Sequence, residues 1–129
     1  MRPSIPLLSF LLVAAGCAAG DGPTTRAAES ELAQALAGRS PGEARNCVPI
    51  QSGRALRTID AQTLLYDSGD TIWVNRLEGR CPGLRPSDPL IVEPTGSQYC
   101  RGDRIRSLDP VSRFPGPVCI LSDFVPYRR

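Results

Sequence analysis

Residues 47–129 read as an all-β domain, a small antiparallel barrel or sandwich of about five or six short strands. Three observations carry this expectation. Short runs rich in β-branched and aliphatic residues recur from Ala55 onward, separated by Gly, Pro, Ser and Asp. No helical period appears after Asn46. Finally, Cys47, Cys81, Cys100 and Cys119 form an even set in a chain of 129 residues, a size at which covalent staples supplement a modest core.

The amino end explains why those cysteines can pair. Arg2 precedes an apolar run beginning at Ile5, and Ala14-Ala15-Gly16 lead into Cys17. A positive start, an apolar stretch too short to span a bilayer and small residues at a cleavage point make residues 1–16 a signal peptide. Small residues directly before a cysteine resemble the lipobox of bacterial lipoproteins. That resemblance implies a lipid-modified Cys17 bearing acyl chains such as palmitate, and Ala18 after it implies the outer membrane, facing the periplasm. The alternative is cleavage near Ala19, which would give a soluble periplasmic or secreted chain.

Residues 17–46 read as a tether. Gly20, Gly22 and Pro23 open it, Ser40-Pro41-Gly42 close it, and RAAESELAQALAG between them favours a short helix with Gly38 as its C-cap. Its apolar stripe is only Ala28, Leu32, Ala35 and Leu36. A helix this short does not hold alone in water, so it is expected to fray as a spacer, with docking on the domain or the membrane as the alternatives.

Within the domain, Ala55–Asp60 and Thr63–Asp67 read as strands, and Ser68-Gly69 turns into Thr71–Leu77 to make a β-hairpin. Tyr66 and Trp73 are its expected cross-strand core pair. Prolines 82, 86 and 89 make residues 79–89 a loop; Leu90–Glu93, Arg104–Leu108 and Val118–Ser122 follow as strands. Residues 110–117 form a proline-bearing connection. Four cysteines allow three pairings; Cys81–Cys100 with Cys47–Cys119 is favoured, clamping the proline-rich loop around Leu90–Glu93 and tying the first domain segment to the last strand.

Taken together, Cys47-Val48-Pro49, Arg57-Thr58-Ile59-Asp60, Cys81-Pro82-Gly83-Leu84, Cys100 and Cys119-Ile120-Leu121 resemble a domain-of-unknown-function family of small exported proteins from Gram-negative bacteria. The resemblance implies an exported, disulfide-bonded, β-rich envelope protein and brings no catalytic residue with it.

Absences narrow the chemistry further. The chain has no His and no Lys, so all fifteen basic residues are Arg. The commonest general base and metal ligand is missing, as is the amine for Schiff-base or Ser-Lys mechanisms. No CxxC knuckle supports zinc. Losing Arg2 leaves fourteen arginines against thirteen acidic residues, a balance unlike that of nucleic-acid-binding proteins. Asp67 and Asp70 around Ser68-Gly69 read as turn chemistry, and Arg101-Gly102-Asp103 as a loop glycine entering a strand.

The expectation is therefore a non-enzymatic binding or structural module of the outer membrane, without cofactor or metal. Its partners would be the membrane through its anchor, envelope polysaccharide or another envelope protein. Arg104 and Arg106 lie two apart on a strand and share a face; with Arg101 and Arg113 they form a candidate anion-binding cluster. The alternative is an inhibitor of an incoming hydrolase such as lysozyme. It rests on Thr95-Gly96-Ser97-Gln98-Tyr99, which is similar to the Ser-Gly-x-x-Tyr loop of membrane-bound lysozyme inhibitors.

Overall fold

The computed structural model describes residues 23–129; the signal peptide expected at residues 1–16 and the expected lipidation at Cys17 lie outside them. Helix α1 (Pro23–Ala35) precedes ten short strands. These are β1 (Ser40–Pro41), β2 (Cys47–Pro49), β3 (Leu56–Thr58), β4 (Thr63–Asp67), β5 (Thr71–Arg76), β6 (Leu90–Glu93), β7 (Gln98–Cys100), β8 (Arg104–Ser107), β9 (Cys119–Ile120) and β10 (Phe124–Arg128). They form a five-stranded sheet in the order β1-β10-β5-β4-β3, a three-stranded sheet β6-β8-β9 and the pair β2-β7. Every pairing between strands is antiparallel, so the fold is mostly β, and the sheets stay open rather than closing into a barrel.

The hairpin β4–β5 is the centre of the large sheet. Tyr66 faces Trp73 across it, as the sequence predicts. Alternation sends Leu64, Tyr66 and Trp73 to one side, where with Phe124 they meet Val48, Tyr99, Ile105 and Leu121 from the segments of the two smaller sheets. Leu65, Ile72 and Val74 leave by the opposite face, join Ile59 and are covered by Ala28 of α1, with Leu32, Ala35 and Leu36 packed alongside.

The segment expected to fray as a spacer thus packs on the sheet. Its stripe is thin but falls on a face that would otherwise expose Leu65, Ile72 and Val74, and burial of that face supplies what an isolated helix lacks. Arg57 of β3 pairs with Glu31, Gly38 ends the helix in the left-handed region at φ 70°, and the Arg39 guanidinium donates to the Asp70 carbonyl at 2.8 Å. The chain then enters the sheet directly as β1, so the sheet begins before Cys47.

Pro126 sits inside β10 without breaking it. Phe124 exchanges both backbone bonds with Arg45, and the Pro126 carbonyl accepts from the Gly42 amide at 2.7 Å. The missing N–H of Pro126 therefore faces the short 42–44 segment between those contacts, away from β5.

The cysteines pair as Cys47–Cys100 and Cys81–Cys119, which corrects the favoured pairing. Cys47 and Cys100 stand directly opposite on β2 and β7, two three-residue strands too short to stand out in the sequence. Their Cα atoms are 4.0 Å apart, leaving Cys81 to reach β9 at 5.9 Å. The second bond ties the proline-rich loop to the β8–β9 sheet.

Candidate functional site

The structure divides the candidate arginine cluster. Arg104 and Arg106 do share the outer face of β8, since Ile105 and Ser107 point inward. Arg101, however, turns to Asp123 at 3.1 Å and Glu78 at 3.6 Å. Arg106 lies 4.0 Å from Glu93 on the neighbouring strand β6. Arg113 holds a left-handed backbone, φ 61°, in the β8–β9 connection. Two of the four guanidiniums thus already have carboxylates beside them.

Turn chemistry accounts for Asp67 and Asp103. The Asp67 carboxylate accepts from the Gly69 amide at 2.8 Å, and Asp103, buried, accepts from the Cys100 amide at 2.7 Å. Gly102 supplies a φ of 91° between Cys100 and β8. In the segment likened to the inhibitor loop, Thr95–Gln98 are exposed, whereas Tyr99 is buried edge-on against Tyr66, with ring centroids 5.4 Å apart. Burial, with a smaller contribution from the Tyr66 phenol, raises the Tyr99 pKa. Among the described residues no three His, Cys, Asp or Glu side chains cluster to hold a metal ion.

A different set of arginines surrounds a cleft of about 500 Å³ between α1, the β3–β4 turn and the 80–86 loop. Its floor is apolar, made by Ala28, Ile59 and Leu84, all buried. Arg76, Arg80 and Arg85 stand around it. Each wall has a local cause. Docking of α1 sets one side. The β3–β4 turn is held by the Asp60 carboxylate, which accepts from the Gln62 amide at 2.8 Å. The loop is fixed at Cys81, whose amide donates to the Ala61 carbonyl at 2.7 Å and whose sulfur is bonded to Cys119.

The electrostatics favour an anion. The Arg76 guanidinium is positioned by the buried Thr63 hydroxyl at 3.1 Å. Among the described residues, none of Arg76, Arg80 and Arg85 lies within ion-pair distance of a carboxylate. Of the acids lining the cleft, Glu31 is taken by Arg57, which leaves Asp60 against three guanidiniums. An apolar floor beside forked cationic donors suits a ligand that is apolar over part of its surface and carries phosphate or carboxylate at one end.

Sequence reasoning passed over these arginines. The available signal was three Arg within residues 76–85 with Glu78 as the sole acid among them, and Glu78 turns to Arg101. Compared with known proteins, the chain matches no family model, no curated protein and no solved structure.

Proposed function

We propose that this protein is a lipid-anchored module of the bacterial envelope, without a reaction of its own, which holds the anionic end of an amphipathic ligand in the Arg76–Arg80–Arg85 cleft. The observation that carries the reading is three guanidiniums around an apolar floor, none of them within ion-pair distance of a carboxylate among the described residues. Acylation of Cys17, placement in the outer membrane facing the periplasm, and membership of the exported family resembled at Cys81–Leu84 belong to the same reading. They are supported by residues 1–17 and the paired cysteines.

Residues 18–129 keep every described strand, both disulfides and both apolar clusters, so this chain serves for binding. Dodecyl phosphate titrated calorimetrically below its micellar range binds, and dodecyl maltoside does not. A hydrogen bond to a charged group contributes about 1.5–3 kcal/mol, so Arg80→Ser with Arg85→Ser weakens binding at least ~10-fold. Equal affinity of the double variant sinks the proposal, and inhibition of added lysozyme by the same chain moves the assignment to an inhibitor. Labelled palmitate fed to cells making the full chain enters the wild type and not Cys17→Ser.

A further inference from the structure

The cleft does not account for the other conspicuous surface of the molecule. Val111, Phe114 and Val118 are the exposed large hydrophobic residues among those described, at 91%, 75% and 46% exposure, and all three lie in the β8–β9 connection. Their exposure is built in. The Asp109 carboxylate accepts from the Val111 amide at 3.0 Å and the Ser112 amide at 2.7 Å. The Arg113 amide donates to the Asp109 carbonyl at 3.0 Å and the Asp109 amide to the Phe114 carbonyl at 3.1 Å. Leu108 bridges Pro115, and the Gly116 amide closes the base on the Ser107 carbonyl at 2.8 Å. The tip is a braced projection.

That projection and the cleft stand on the same part of the domain. Ser107, at the base of the connection, donates its hydroxyl to the Gly83 carbonyl, next to Leu84 and Arg85 of the cleft wall. Arg85 faces both ways, lining the cleft with Thr25 and Ala27 and helping the loop's amides hold Asp109 ionised. Thr25 and Ala27 belong to the first turns of α1, and Cys17 stands six positions before Pro23. A chain of that length reaches at most ~20 Å. With α1 docked on the sheet, an acylated Cys17 is joined to this end of the domain by a short leash.

We propose that this end, with Val111 and Phe114 at its tip and Arg85 and Arg113 beside them, lies on a lipid bilayer. The apolar tip enters the acyl boundary and the guanidiniums meet lipid phosphates. The occupant is a bilayer because the apolar residues stand exposed on a single short connection, Val111 and Phe114 over most of their surface. A stable protein interface buries about 800 Å² on each side, more than three side chains supply, whereas lipid accepts a tip without a complementary shape. Arginine beside exposed Phe and Val matches the charge order of an anionic membrane surface. The short leash rests on the anchored reading above; the surface itself does not.

The test uses residues 18–129, so acylation plays no part and its failure would show separately in the palmitate experiment. Vesicles of phosphatidylcholine with about a third phosphatidylglycerol are sedimented with the protein at low and high salt. The expected result is retention on the anionic vesicles, weaker retention on phosphatidylcholine alone, and loss at high salt. Burying a Phe or Val side chain is worth tenfold or more in partition, so Phe114→Ser with Val111→Ser lowers the partition coefficient at least ~10-fold with an unchanged melting temperature. Arg85→Ser with Arg113→Ser removes the preference for phosphatidylglycerol. Absence of binding to anionic vesicles, or binding indifferent to Phe114→Ser with Val111→Ser, overturns the proposal. So does retention by whole envelope fragments but not by vesicles of their extracted lipids, which would assign the tip to a protein.

Discussion

Asn75 offers the sharpest test of how the fold is held. Its side chain is fully buried in β5, donates to the Ser122 carbonyl at 2.7 Å and accepts from the Ser122 amide at 3.0 Å. This one amide fastens the corner between β9 and β10 to the central hairpin. Asn75→Leu keeps the branch at Cγ, leaves no cavity and removes both bonds, and its larger side chain adds an overpacking cost to their loss. Each unpaired buried backbone group costs about 1–3 kcal/mol. Ser122 is half-buried and water satisfies part of the loss, so the expected total is about 2–4 kcal/mol. With a urea slope of ~1–2 kcal/mol/M, the midpoint falls by about 1–4 M. The assay is equilibrium urea unfolding with the disulfides intact, followed by Trp73 fluorescence. A shift under ~0.3 M would show that the corner is held by packing and would refute the reasoning.

Further outcomes follow from the same contacts. Digestion under non-reducing conditions yields Cys47–Cys100 and Cys81–Cys119 peptides, with sequence separations of 53 and 38; loss of either bond costs ~4 kcal/mol by loop closure, and a linked Cys81–Cys100 peptide contradicts the fold. Gly116→Ala would bring its Cβ to 2.6 Å from the Ser107 hydroxyl, so it destabilises by ~1–3 kcal/mol, and adding Ser107→Ala restores more than half of that in thermal melts. For Tyr99, whose pKa is raised in the folded state by burial, stability is fully present below the ordinary phenol value of ~10 and is lost as pH rises through the raised value. Tyr99→Phe therefore flattens the alkaline limb of a stability–pH curve, and an unchanged limb counts against the burial argument.

Much of the β framework was legible because it is local. β4, β6 and the hairpin turn fall where alternation and Gly/Ser placed them, and Tyr66 meets Trp73 as cross-strand geometry requires. What escaped is non-local. β1, β2 and β7 are two or three residues long and exist through their partners, while Pro126 disguised β10. The docked helix did leave a trace. Leu64-Leu65-Tyr66 and Ile72-Trp73-Val74 are unbroken apolar runs, which require cover on both faces of the hairpin, and Ala28 with Leu32 provides it. The misread disulfides have the same origin, since Cys47 finds Cys100 only once β2 and β7 pair. The shared face of Arg104 and Arg106 was correct period-two reasoning; that Arg101 belongs to Glu78 and Asp123 depends on a tertiary contact. The cleft draws Ala28, Ile59, Arg76 and Arg85 from four separate segments, and no spacing announces it.

The proposed cleft holds an anion at Arg76, Arg80 and Arg85 and not on the outer face of β8. Amide chemical shifts of residues 18–129, followed while dodecyl phosphate is added, test this most directly. Binding in the cleft moves Ala28, Ala61–Thr63, Arg76, Arg80 and Leu84–Arg85 most. Changes centred on Arg104–Arg106, or a spectrum that does not move, would contradict it.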